Sequence, residues 1–265
     1  MIDRLPFLRS RPTVAVVRLS GAIGMSARGG LSDESIGPVL ERAFTKGKPR
    51  AVALLINSPG GSPVQSALIG ARVRRLAEKK KIPVIAFVED IAASGGYWLA
   101  AAADEIHADA SSIVGSIGVI SASFGANLFL SRHGIERRVH TAGTSKSMMD
   151  PFRPEKEEDV ARLHSMLNGI HANFIDHVKS RRGDRLVEGE DLFNGEVWLG
   201  AQALELGLID GIGHLRPVLE ERFGDKVQFK RYGPKRTLFS RLGARIMSEA
   251  TGAIEERAAF ARFGL

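Results

Sequence analysis

The 265-residue chain contains no cysteine. This excludes disulfides, thiolate metal centres, iron–sulfur clusters and a cysteine nucleophile, and it leaves the redox compartment open. Long apolar runs are also missing. A stretch such as Ile82-Pro83-Val84-Ile85-Ala86-Phe87-Val88 is far too short to cross a bilayer. Arg4, Arg9 and Arg11 precede no sustained apolar block, so no secretory leader is expected. The expectation is a soluble or peripheral protein, cytoplasmic or at a membrane surface. Internal repeats and low-complexity linkers are absent too, which argues for one domain.

What is present is ordinary globular composition, 44% hydrophobic and 25% charged, in a chain long enough to bury a core without staples. The formal charge of +7 is unevenly placed. From Lys226 onward nine Lys/Arg face three Glu, so the tail carries +6 and the preceding residues only +1. A basic tail on a nearly neutral body is poor evidence for a nucleic-acid groove, and no nucleic acid is expected as partner. It indicates an appended segment with its own task.

The hydrophobic pattern alternates strand and helix. Val14 to Leu19 reads as a strand, Ser35 to Phe44 as a helix, Ala51 to Ile56 as a buried strand, Val64 to Lys80 as a helix, and Ile82 to Val88 as the next strand. After Ser94-Gly95-Gly96 another helix continues through Ala100 to Ala103. Further on, His107-Ala108 and Val119-Ile120 look like short strand pieces, Phe124 to His133 helical, and Arg137 to His140 strand-like. Glu155 to Arg181 carries Val160, Leu163, Leu167, Ile170, Phe174 and Val178 at three- and four-residue steps, an amphipathic helix. Such alternation implies an α/β core with a parallel sheet.

Two buried strands end in glycine-rich turns. Asn57-Ser58-Pro59-Gly60-Gly61 closes one; with no Gly-Lys-Ser/Thr after it, phosphate cradling is poorly supported, and a plain tight turn explains it equally well. Ala92-Ala93-Ser94-Gly95-Gly96-Tyr97-Trp98 closes the other and opens a helix. Its serine fits either a helix N-cap or a hydroxyl placed where helix N–H groups favour developing negative charge. Neighbouring parallel strands deliver their C-terminal ends to one edge. The Gly60 or Gly61 N–H and the Ser94 hydroxyl could therefore face one carbonyl, which two unrelated turns explain less easily.

A nucleophilic serine needs a base. None of the seven histidines stands in a loop framed by glycine or aspartate. Lys146, an isolated cation within Thr141-Ala142-Gly143-Thr144-Ser145-Lys146-Ser147, is the alternative, beside the ordinary reading of a solvated loop lysine.

Asn57–Gly61, Ser94-Gly95-Gly96-Tyr97, Gly115-Ser116-Ile117-Gly118-Val119, Lys146 with Asp150-Pro151-Phe152, and Asn194-Gly195-Glu196-Val197-Trp198 through Gly207-Leu208-Ile209-Asp210 follow one another in the order of the signal peptide peptidase A family, which the chain resembles from about residue 13 to 220. The resemblance implies a ClpP/crotonase-like fold of repeated ββα units around a parallel sheet. It implies a serine endopeptidase with a Ser/Lys dyad acting on short, apolar peptides such as signal-peptide remnants, without cofactor or metal. Ser94 would be the nucleophile, Lys146 the general base and Ser116 the serine that orients the lysine. Gly60 or Gly61 and Gly95 would form the oxyanion hole. Family members assemble into rings or domes in which neighbouring domains complete the dyad, so a homo-oligomer is expected. Whether Lys146 reaches Ser94 within one chain or across an interface stays open here. Two features depart from the family: no membrane anchor is visible, and Ser145 stands where an aromatic residue often precedes the lysine. A lysine accepts a proton only when neutral, so peptidase activity is expected to rise with pH.

The expected organisation is a protease domain over 1–225 and a basic amphipathic tail over 226–265. In that tail Leu238, Leu242, Ile246, Ala250 and Ile254 recur every four residues beside Arg241 and Arg245. It reads as a helix packed on its own fold or a neighbour, or as a peripheral contact with anionic lipid. Two rivals remain. A crotonase-like acyl-CoA enzyme would use a carboxylate base in place of Ser94 and Lys146, and an inactive scaffold of the same fold would tolerate loss of Ser94.

Overall fold

The structure is a computed structural model that describes residues 11–24, 30–143, 145–233, 257 and 259–265. The first half alternates strand and helix: β1 (Thr13–Ser20), α1 (Asp33–Thr45), β2 (Ala51–Ser58), α2 (Pro63–Lys80), β3 (Val84–Ala93) and α3 (Gly95–Ala101). The second half comprises β4 (Glu105–Ala108), β5 (Ile113–Gly115), α4 (Asn127–Arg132), α5 (Glu157–Arg182), β6 (Val197–Leu199), α6 (Gly200–Glu205), β7 (Gly211–Ile212), α7 (Leu215–Phe223) and β8 (Gln228–Tyr232). The helix ends follow local chemistry. Ser32 caps α1 by accepting from the Ser35 N–H; Ser62 caps α2, with Pro63 at its first position and Lys79 and Lys80 in its last turn.

The sheet runs β6-β5-β3-β2-β1-β8, with β4 and β7 branching from β3. Every pairing is parallel except β5 with β6. Strand β3 is shared: Ile85 to Val88 pair with β4, and Ile91 to Ala93 pair with β5. Alternate residues point to two apolar layers. Val17, Leu19, Leu54 and Ile56 face helices α1 to α3, whereas Val14, Val16, Ala53 and Phe87 face α7. That second face is only partly covered, and a groove of about 910 Å³ floored by Val16, Leu55, Phe87 and Phe229 lies there.

Arg182, almost fully buried, ties the end of α5 to the loop before β7. Its guanidinium donates to Asp210 at 2.8 and 3.1 Å and to the Gly207 carbonyl at 2.7 and 2.9 Å. Asp210 also accepts from the Ile106 N–H at 2.7 Å. Burial pushes the Asp210 carboxyl up, but the Arg182 hydrogen bond and charge outweigh this and hold it below its ordinary value. The Gly207-to-Asp210 motif thus has a structural task.

Three expectations need correction. Val119-Ile120 and Arg137 to His140 form no strand. After Gly115 the backbone turns at Ser116, with φ +53°, and leaves the sheet, while Arg137, Arg138 and Glu136 are exposed with no strand beside them. The helix expected from Phe124 to His133 shortens to Asn127–Arg132, which has no capping side chain and buries no residue. Finally, β8 pairs with β1 from Thr13↔Gln228 to Val17↔Tyr232, so the sheet continues past the boundary drawn at 225/226. The amphipathic stretch from Leu238 to Ile254 lies outside the described residues.

Candidate active site

The register of two strands builds the site. A bulge between Ile56 and Ser58 sets Ser58 opposite Ala92, so β2 and β3 end side by side. Their turns, Pro59-Gly60-Gly61 and Ser94-Gly95, then lie against each other. The closeness admits no side chain. A Cβ on Gly60, at φ +98°, would come within 2.8 Å of the Ala93 carbonyl oxygen, the Gly95 nitrogen and the Ser94 Cβ. A Cβ on Gly95 would collide with the Ser66 hydroxyl, and one on Gly96 with the Ser58 carbonyl.

Ser94 occupies the N-cap of α3 without capping it. Its φ of +52° and ψ of −121° lie in a region that non-glycine residues rarely enter. The strain persists because the surroundings fix the backbone on both sides. The Ser94 N–H donates to the Gly115 carbonyl at 2.8 Å, and its own carbonyl accepts from the Trp98 N–H at 3.0 Å. With its hydroxyl unused as a cap, the serine opens on a cavity of about 590 Å³. Ser66, Ser116, Trp98, His171, Phe174 and Asn194 share its walls with Gly61 and Gly95. Among the described residues, the Gly61 and Gly95 N–H groups find no protein acceptor, whereas Gly60 N–H makes a long bond of 3.3 Å to the Ser58 hydroxyl.

Several segments meet at this cavity, and α5 braces two of them. The imidazole Nε2 of His171 donates to the Ile117 carbonyl at 3.0 Å, and that of His177 donates to the Trp98 carbonyl at 3.0 Å. A carbonyl only accepts, so both rings carry their proton on Nε2. The His177 ring stacks on Trp98 with centroids 4.4 Å apart, and burial holds its pKa below the ordinary value. Arg181 donates to the Ala101 and Ala103 carbonyls at the far end of α3. Ser116 is held by its own N–H, which donates to the Glu196 carbonyl at 2.6 Å.

Of the residues singled out from sequence, Ser94, Ser116, Gly61 and Gly95 line one cavity, and Gly60 packs immediately behind Ser94. Lys146 does not line it. It is exposed, in a turn between Gly143 and Asp150. Sequence reasoning missed Ser66, His171 and Trp98. Ser66 was detectable only as a serine four residues after the Ser62 cap; its hydroxyl donates to the Ser62 carbonyl at 2.9 Å and packs on Gly95. Arg262 and Phe263, near the C-terminal end, also reach the cavity wall.

Residues 76–226 match the model of peptidase family S49. The chain belongs to that family. A putative protease of Synechocystis, slr0021, is 31% identical over 209 residues, which cover 78% of this chain and 73% of its own. A Brucella abortus protein named Na(+)/H(+) antiporter NhaA is 49% identical over 271 residues, 95% of this chain but only 37% of its own length. Among solved structures, a mutant of the 1510-N membrane-bound stomatin-specific protease covers 85% of this chain with TM-score 0.50 at 15% identity. That likeness concerns the fold, and it bears out the α/β, ClpP/crotonase-like expectation. Membership of S49 bears out the resemblance to the signal peptide peptidase A family. Among the described residues, no helix is long and apolar enough to cross a membrane.

Proposed function

We propose that the chain is a serine peptidase in which Ser94 attacks the scissile carbonyl, Lys146 of a neighbouring copy takes the serine proton, and the Gly61 and Gly95 N–H groups receive the oxyanion. The observation that carries the reading is the strained Ser94 on the turn from β3 into α3, its hydroxyl released from capping and aimed at a cavity. In the acylation step the Ser94 oxygen bonds to the carbonyl carbon as its proton passes to the neutral lysine amine. The lysine then returns that proton to the departing amine, and water repeats the sequence to release the acyl group. Each oxyanion donor supplies on the order of 3 kcal/mol in comparable sites.

The contacts of α5 support supply of Lys146 by a second copy. Arg162 of this helix donates to the Ser145 hydroxyl, beside Lys146, at 2.7 Å, whereas His171 holds the loop next to Ser116. Nine residues at about 100° each place these two on opposite sides of the helix axis. The two contacts therefore leave α5 in opposite directions, which supports a lysine turn that faces away from the chain's own cavity. The intervening segment exposes Ile120, Phe124, Leu128, Phe129 and Ile135, each by more than half, as a surface that a second copy would cover.

The cavity supports short apolar peptides as substrates. Trp98, Phe174, Phe193 and Ile170 line it, and no carboxylate does among the described residues. That disfavours the crotonase-like rival, which needs a carboxylate base. The antiporter name of the Brucella relative belongs to a protein of which this chain matches 37%, and it is not carried over.

The test is cleavage of an unfolded, apolar-rich polypeptide by wild type, Ser94→Ala, Lys146→Ala and an equimolar mixture of the two variants, refolded together. Each variant alone is inactive with assembly intact, and the mixture regains about a quarter of wild-type activity, the share of sites that pair an intact serine with an intact lysine. A mixture that stays inactive returns the lysine to the same chain. Undiminished activity of Ser94→Ala reassigns the nucleophile.

A further inference from the structure

Asp159 is a buried carboxylate in the first turn of α5, away from the cavity around Ser94, and the peptidase mechanism does not use it. Its only side-chain partner among the described residues is Arg162, one turn later, at 3.2 Å. The same Nη1 of Arg162 donates to the Ser145 hydroxyl at 2.7 Å. On the other side of the lysine, Arg153 Nη1 donates to the Ser147 hydroxyl at 3.2 Å. Lys146 thus stands between two serines whose hydroxyls are each gripped by a guanidinium. Among the described residues, its own backbone is held by one long hydrogen bond, from its N–H to the Gly143 carbonyl at 3.3 Å.

The two grips differ in what stands behind them. Arg153 and Ser147 belong to the same turn, so that bond moves with the loop. Arg162 is anchored on a helix of 26 residues whose far end is fixed by the buried Arg182–Asp210 pair. Among the described residues, the Asp159–Arg162–Ser145 chain is what transmits a fixed position from α5 to the lysine turn.

We propose that Arg162 is the positioning residue for Lys146: it holds the Ser145 hydroxyl so that the adjacent ammonium or amine projects at a set place from α5. Asp159 orients the guanidinium and offsets its charge. The proposal rests on the reading of Lys146 as general base. A charged donor on a hydroxyl restrains a turn that otherwise samples several geometries, and small misplacements of a catalytic group cost up to about a hundredfold in rate.

The experiment compares steady-state peptide cleavage by wild type, Arg162→Met, Arg162→Lys, Ser145→Ala, the Arg162→Met/Ser145→Ala double variant and Lys146→Ala, each checked for assembly. The expected result is a kcat lowered about 10- to 100-fold in Arg162→Met and in Ser145→Ala with KM unchanged, no further loss in the double variant, and partial recovery in Arg162→Lys. A merely structural Arg162 would change KM and assembly as well, and would not lose its effect once Ser145 is absent. Wild-type kcat in Ser145→Ala, or additive losses in the double variant, overturns the proposal. Should Arg162→Met fail to assemble, Ser145→Ala leaves the ion pair on α5 intact and decides alone. Lys146→Ala separates the layers: if it is fully active, the base assignment itself fails. If it is inactive while Ser145→Ala is normal, only the positioning role fails.

Discussion

The turn pair around Ser94 and the arm that carries Lys146 are built in opposite ways. At the turns, Gly60, Gly95 and Gly96 leave no room for a Cβ, Ser94 is fixed by backbone bonds on both sides, and the strands behind are largely buried. In the arm, from about residue 119 to 156, α4 buries nothing, large apolar side chains face outward, and several restraints are bonds between exposed side chains, such as Arg162 with Ser145. One half of the proposed machinery is finished by the chain's own fold. The other half is folded but uncovered, which is the expected state of a surface that a second copy completes.

The contrast can be broken at the turns first. Gly95→Val drives a branched side chain into the Ser66 hydroxyl and Ile23. Peptidase activity should fall below detection and the melting temperature should drop, both read on the purified variant by peptide cleavage and calorimetry. Next in size, Arg182→Met leaves the half-buried Asp210 with only Arg185 and the Ile106 N–H as partners and the Gly207 carbonyl without its guanidinium; stability should fall by about 1–3 kcal/mol, measured by urea denaturation. A loss under about 1 kcal/mol would show that the pair contributes little beyond packing.

At the arm the effect on the stability of the single chain should nearly vanish. Phe129→Asp adds a charge to an exposed side chain, so the unfolding midpoint of the dissociated chain should stay within about 0.5 kcal/mol of wild type. Assembly and activity should both fail, as read by sedimentation and cleavage. Retained assembly would place the interface elsewhere.

The smallest effect concerns pH. Burial depresses the His177 pKa, so the unfolded chain binds a proton more readily than the folded one as pH falls. The stabilisation from neutral His177 is therefore complete above its unfolded value of 6.5 and is lost progressively below it. The melting temperature of wild type should decline more between about pH 7 and pH 5 than that of His177→Gln, which cannot titrate in that range. Equal declines would assign the acid sensitivity to other groups.

The strands, α1, α2 and the two glycine turns were legible because their signals are local. Apolar runs stop at Ser58 and Ala93, and glycines follow where the backbones must touch. The arm was not legible for the opposite reason. Arg137 to His140 and Val119-Ile120 carry enough apolar or branched residues to resemble strands, but pairing is a tertiary event and no partner lies beside them. Strand β8 was assigned to the tail because Lys226, Lys230 and Arg231 read as part of a charge run, although Phe229 and Tyr232 pack inward on the sheet. His171 and Arg162 went unnoticed because each acts on a segment distant in sequence, and nothing local distinguishes a histidine that braces a carbonyl from one that is solvated.

The exposure of Lys146, which does not line the cavity of its own chain, has a consequence for the cell. If a neighbour supplies that lysine, a newly made copy is harmless to the polypeptides around it until it meets others. No propeptide or inhibitor is then required to keep it silent. Hydrolysis would rise more steeply than in proportion to the amount of protein near the assembly threshold, so halving expression would remove more than half of the turnover.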